Sequence, residues 1–172
     1  MFFCYAIDMQ SKTFILFVRN FIFGAEDSLV STVGLLAGVA SAGILRKDII
    51  ISGVVLIFVE AFSMSVGSFL SERTTEESLI DSQEKLGDSL MASVIMFFSY
   101  FISGLIPLFP YLIQSNDNAF WQSIIASLIA LFILGFLSAK ILKTKILKNA
   151  LRMLLIGGSA IALGVIVGII IK

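Results

Sequence analysis

The sequence predicts an all-α integral membrane protein with five transmembrane helices and its N-terminus in the cytoplasm. Three observations carry the prediction. Hydrophobic residues make up 58% of the 172 positions and charged residues only 14%, with a mean hydropathy of +1.04, well to the apolar side of a soluble domain. The apolar residues fall into five runs, each close to the ~20 residues that a helix needs to cross a bilayer core. The charges gather in the gaps between those runs. Lipid offers backbone groups no hydrogen-bond partner, so isolated runs of this kind are helices.

The first run, 21–43, has no Lys or Arg but contains Glu26 and Asp27. The opening MFFCYAID is too short for a signal-peptide core, so this run is expected to act as an uncleaved insertion signal. The second run, 49–70, is apolar apart from Glu60 and several serines. The third, 90–112, carries Pro107 and Pro110, which should end or kink it. The fourth and fifth are 119–139 and 150–171. Residues 1–172 thus form a single transmembrane domain, with 71–89 as a short acidic cytoplasmic connection. Nine of the 12 basic residues fall on one side of this arrangement: Lys12, Arg19, Arg73, Lys85, Lys140, Lys143, Lys145, Lys148 and Arg152. Arg46, Lys47 and Lys172 fall on the other, and the bias makes the richer side cytoplasmic. Its last loop, AKILKTKILKNALR, suits anionic headgroups at about 1 kcal/mol per basic residue.

An ionisable residue inside a membrane run is costly and marks a functional candidate. Asp27 lies on a helical stripe with Asn20, Gly24, Ser31, Gly34 and Gly38, polar or small at every position. Gly34 and Gly38 form a GxxxG, which lets helices approach closely. The stripe therefore reads as a seam between protomers or along a pore, or simply as a packing surface. On the second run the matching face carries Glu60 and Met64. Asp27 and Met64 each lie roughly 9 Å in from the cytoplasmic end, at 1.5 Å per residue, and Glu60 is one turn deeper. A carboxylate and a thioether at one depth suit a borderline divalent ion. Methionine also fills gaps in cores, and Glu60 reads equally as a proton carrier or a hydrogen-bonded structural acid. In the connection, Glu77, Asp81, Glu84 and Asp88 recur on one helical face, able to collect cations or merely to be solvated.

These residues resemble a family. The run FIFGAEDSLVSTVGLLAGVASAG followed by FVEAFSMSVGSFLSERT is similar to the first two helices of the vacuolar iron transporter family. That family opens on a G-x-x-D-G-L-V-like motif and continues with A-x-S-M-x-x-G. ASVIMFFSYFISGLIPLFPYLI resembles its third helix, and ALRMLLIGGSAIALGVIVGIII its last. The resemblance implies a homodimer that exports Fe2+ or Mn2+ from the cytosol in exchange for protons. It also implies that Asp27 is the transmembrane acid and Met64 the pore methionine. The sequence departs from the pattern in several places. Asn20 and Leu16 stand where members carry further acids, Ser28 stands for a glycine and Ser68 for an acid. Glu60 is an addition, and the connection is too short for the family's cytoplasmic metal-binding domain.

Other classes are narrowed by composition. There is no His and a single Cys4, so His-based metal sites, Ser-His-Asp triads and internal disulfides are excluded. No nucleotide-binding motif is present, and no enzyme activity, cofactor or nucleic-acid partner is expected. The expected partners are the bilayer, a second copy, divalent metal ions and protons, with a prokaryotic cell membrane as the expected location. The alternative is a non-transporting scaffold or assembly protein in which the polar stripe only packs helices. An intramembrane protease is a distant third, since Asp27 and Glu60 lack the flanking signatures.

Overall fold

The computed structural model describes the backbone of residues 2–78, 86–114 and 116–172, and side chains within 13–75, 86–114 and 118–172. It is 93% helical, with no strand among the described residues. Five helices follow one another: α1 Phe2–Ser41, α2 Arg46–Ser78, α3 Leu86–Ile113, α4 Asn116–Ile141 and α5 Ile146–Ile171. All five contain a stretch long and apolar enough to cross a membrane.

The helices extend beyond the apolar runs at several ends. In α1 the membrane-length stretch begins at Thr13 and the helix stops at Ser41, so the first span starts well before residue 21. α2 continues past residue 70 to Ser78, so the first part of the acidic connection is helix. Its threonines bond back along it, Thr74 to the Leu70 carbonyl and Thr75 to that of Ser71. α3 runs through Pro107 and Pro110 to Ile113 rather than ending at either proline. Its C-terminal carbonyls are satisfied from outside. Arg46 donates to the Tyr111 carbonyl at 2.6 Å and to the Leu112 carbonyl at 2.7 Å. A cation at a helix C-terminus is favourable, which accounts for a basic residue on the poorly charged side.

Successive helices run antiparallel. The α1–α2 turn passes through Gly43 at φ 77, a conformation that costs glycine nothing. Thr13, where the membrane-length stretch of α1 starts, donates to Asp88 at the start of α3 at 2.9 Å, while Arg46 meets the far end of α3. α1, α3 and α5 therefore point one way and α2 and α4 the other. Arg19, Arg73, Lys140, Lys143, Lys145, Lys148 and Arg152 collect at one end. Arg46, Lys47 and Lys172 collect at the opposite end.

α1 is the axis of the bundle and touches all four other helices. Half of its membrane stretch is buried, against 22% for α2 and 11% for α5. Leu36 of α1 packs with Ile49, Ile57, Leu108 and Tyr111 on the α2–α3 side. Ala25 and Leu29 pack with Leu131, Leu134 and Met153 on the α4–α5 side. The outer faces stay apolar and exposed, as with Phe58 and Phe62 on α2 and Leu155 and Leu163 on α5. This is the surface that lipid or another membrane helix covers.

Candidate functional site

Between α1, α2 and α3 lies a cavity of about 630 Å³ whose lining reaches Arg19 and Glu72 at the basic end. α1 contributes Asn20 and Phe23, α2 contributes Ser63, Met64 and Ser68, and α3 contributes Met96. The spacing explains the convergence. Asn20 and Phe23 sit three apart on α1, and Met64 and Ser68 four apart on α2, so each pair shares a face. Asn20 is 3% exposed and its carboxamide is fixed at both ends. Its nitrogen donates to the Leu16 carbonyl at 3.0 Å, and its oxygen accepts from Ser68 Oγ at 2.6 Å. At the mouth, exposed Arg19 pairs with the largely covered Glu72.

One helical turn beyond Phe23 and Met64 come Asp27 and Glu60. Both are half-buried, and each lies within the other's electrostatic reach. Both also act on the phenol of Tyr100, which is fully buried and shares a hydrogen bond of 2.7 Å with Ser31 Oγ. Two carboxylates, two hydroxyls and, a turn away, a thioether thus face one region of the α1–α2–α3 seam.

Ser28, at the position where the resemblance implies a glycine, is fully buried. Its hydroxyl donates to the Tyr100 carbonyl at 2.6 Å. Gly104 makes room for it, since a Cβ there would lie 2.8 Å from that same oxygen.

The small residues of the α1 stripe do not share one neighbour. Gly24 packs on α3, where a Cβ would lie 2.3 Å from Ser99 Oγ and 2.9 Å from Met96 Sδ. Gly34 and Gly38 instead meet α5 of the same chain. A Cβ on Gly38 would sit 2.7 Å from the Gly164 carbonyl oxygen, and one on Gly168 only 2.0 Å from that of Gly38. The close approach that the GxxxG allows is made here within the chain, because α5 carries its own glycines in register. Gly34 and Gly38 are buried there and do not border the cavity.

Glu26 faces away from this seam. Its electrostatic partner is Arg152 of α5, across a smaller cavity of about 200 Å³ that also holds Ser138 and Asn149. Asn149 donates to Ser138 Oγ at 2.8 Å and to the Gly135 carbonyl at 3.0 Å. Of the acidic residues in the connection, Asp88 accepts the Thr13 bond described above. Asp81 and Glu84, and the side chain of Glu77, lie outside the described residues. Among the described residues there is no cluster of three or more acidic or cysteine side chains able to hold a metal.

Tyr100 and Met96 are site residues that sequence reasoning missed. Their signal was available: they lie four apart on α3, on a face that continues to Gly104.

A family model for the VIT family matches residues 18–90 and 74–169 of the chain. The chain is similar to vacuolar iron transporter homolog 1 of Arabidopsis thaliana, at 27% identity over 84% of this chain and 78% of that protein. Homolog 3 of the same plant is 27% identical over 85% and 78%. The vacuolar iron transporter of Plasmodium berghei (strain Anka) is 23% identical over 90% and 82%.

Proposed function

The chain belongs to the VIT family, and on that premise we propose that this multi-pass membrane protein carries Fe2+ or Mn2+ out of the cytosol by proton antiport, as a homodimer. The observation that carries the reading is that Asp27 and Glu60 lie within electrostatic reach of each other, one helical turn from the Phe23 and Met64 lining of the cavity. The cation enters from the basic end past Arg19 and Glu72, which the positive-inside bias assigns to the cytosol. It passes Asn20 and Met64 and reaches Asp27 and Glu60. The carboxylates release protons as it binds and take them back as it leaves. Few protein ligands hold the ion, which suits transport, because a passing ion must also depart. Relatives named as iron transporters support the choice of metal, and the thioether supports a transition metal over Mg2+ or Ca2+.

The homodimer belongs to the same proposal. Its support is the exposed α2 edge of the cavity at Ser63, Gly67 and Ser71, which a second copy would close. The prokaryotic cell membrane and cation collection by the acidic connection also stand as proposals, and the named relatives are eukaryotic. One observation favours the scaffold reading: half of the α1 stripe is spent on packing against α5. Metal uptake into sealed proteoliposomes separates the two. Fe2+ or Mn2+ flux that responds to an imposed pH gradient supports the transporter, and no flux for either metal supports the scaffold.

A further inference from the structure

The smaller cavity, on the α4–α5 side of α1, holds two opposite charges that do not meet. Glu26 stands on its α1 wall and Arg152 on its α5 wall. Glu26 feels the Arg152 charge, yet among the described residues no hydrogen bond or ion pair joins the two. The space between them measures about 200 Å³, against ~30 Å³ for a water in the liquid. Its other polar side chains are partly occupied. The Asn149 nitrogen donates to Ser138 Oγ and to the Gly135 carbonyl, and Ser138 donates to that same carbonyl at 3.1 Å. What stays open is a carboxylate, a guanidinium and the Asn149 carboxamide oxygen.

The cavity lies within reach of the headgroup layer. Arg152 follows the start of α5 at Ile146 by roughly 9 Å, at 1.5 Å per residue. It is exposed, as is Leu142 beside it, so the cavity has an open side. An arginine there keeps its stem against apolar surface and its head at the interface. Lys148 stands one turn closer to the basic end, on the same face of α5. Guanidinium takes phosphate through two parallel hydrogen bonds. A free anion in this space would meet the Glu26 carboxylate, and a metal cation would meet Arg152. A zwitterion satisfies both walls.

We propose that this cavity binds the headgroup of a phosphatidylethanolamine from the cytoplasmic leaflet, with its phosphate on Arg152 and its primary ammonium on Glu26 and the Asn149 oxygen. A primary ammonium carries three N–H donors, as that of lysine does. The quaternary ammonium of phosphatidylcholine carries none, and phosphatidylglycerol brings no cation to Glu26. The acyl chains then cover apolar surface that the chain leaves exposed at Leu142 and Leu155. The site lies apart from the Met64 cavity, and the inference stands without the transport reading.

The test uses the full-length chain in detergent micelles doped with phosphatidylethanolamine, phosphatidylcholine or phosphatidylglycerol of identical acyl chains, with bound lipid counted by native mass spectrometry. Wild type is expected to hold phosphatidylethanolamine about tenfold more tightly than phosphatidylcholine, as one charge-assisted hydrogen bond contributes. Glu26→Gln should erase that preference. Arg152→Gln, at an exposed position that folding does not depend on, should weaken binding of all three lipids. Lys47→Gln, at the opposite end, should change nothing. Equal binding of phosphatidylethanolamine and phosphatidylcholine by wild type would overturn the inference, as would a preference retained in Glu26→Gln or unaltered binding in Arg152→Gln. Tightest binding of phosphatidylglycerol, or equal loss in Lys47→Gln, would also overturn it, because attraction to basic residues alone would then account for the lipid.

Discussion

The two halves of the α1 stripe make an instructive contrast. From Asn20 to Ser31 the stripe faces α2 and α3, with Asn20 on a cavity, Gly24 packed on α3 and Asp27 within electrostatic reach of Glu60. From Gly34 to Gly38 it faces α5 with backbone against backbone. Both halves are small or polar and share the same helical spacing. The difference lies in what the partner presents. In the first half Gly24 packs closely on α3 as well, and the space opens on the α2 side, lined by Ser63, Met64 and Gly67. Where α5 brings Gly164 and Gly168, backbone meets backbone, beside an apolar groove lined by Leu35, Val39, Leu163 and Val167. A stripe of small residues thus reports proximity, and the facing helix decides whether that proximity becomes a passage or a joint.

The contrast breaks most visibly at the joint. Gly164→Leu drives a side chain into the Gly34 carbonyl, whose oxygen lies 2.1 Å from the position of a Cβ alone. The expected loss is about 3 kcal/mol or more, at the upper end of overpacking costs, read as a collapsed thermal transition in detergent. Gly67→Ala is the counterpart on the passage side. No atom of the chain lies within 4 Å of its Cβ position, so its effect on the melting curve should stay below that of Gly164→Leu, and any loss reads out the second copy proposed to cover this edge.

Within the passage the effects should fall on flux and not on folding. Glu60→Gln is expected to weaken ion affinity about tenfold, equivalent to ~1.4 kcal/mol, and to flatten the pH response of transport. Kinetics and pH response both unchanged would make Glu60 a structural acid. Met64→Leu should lower Fe2+ flux more than Mn2+ flux, by about threefold, because a thioether is the softer donor and the volume is conserved. The smallest effect is expected at the mouth. Arg19→Gln should cost less than about 1 kcal/mol of stability, as exposed ion pairs do, measured as a shift of the melting curve.

The helices and the placement of Asp27 were legible in the sequence because both follow from hydropathy, which depends on local composition. The extension of α1 back to Thr13 was less visible, since Thr13, Arg19 and Asn20 dilute the apolar signal there. The approach of Asp27 to Glu60 was half legible. Depth could be counted along each helix, but facing depends on how α2 packs beside α1. The partner of Gly34 and Gly38 stayed open in the sequence for a related reason. A GxxxG says that some helix comes close, and the spacing of Gly164 and Gly168 on α5 was the clue to which one. Tyr100 was not singled out because a lone tyrosine in an apolar run has the same sequence signature whether it packs, anchors or bonds. Its role depends on Ser31, 69 residues earlier in the chain.

The central claim is that Asp27 carries the ion in a passage built by the first three helices, while the α5 joint only supports it. The most direct test is pH-driven Fe2+ and Mn2+ flux through proteoliposomes containing Asp27→Asn, with thermal stability measured on the same preparation. This substitution removes the charge and keeps the shape. The account predicts a wild-type melting curve with flux and proton coupling both abolished. Transport at the wild-type rate with the same pH response would contradict it.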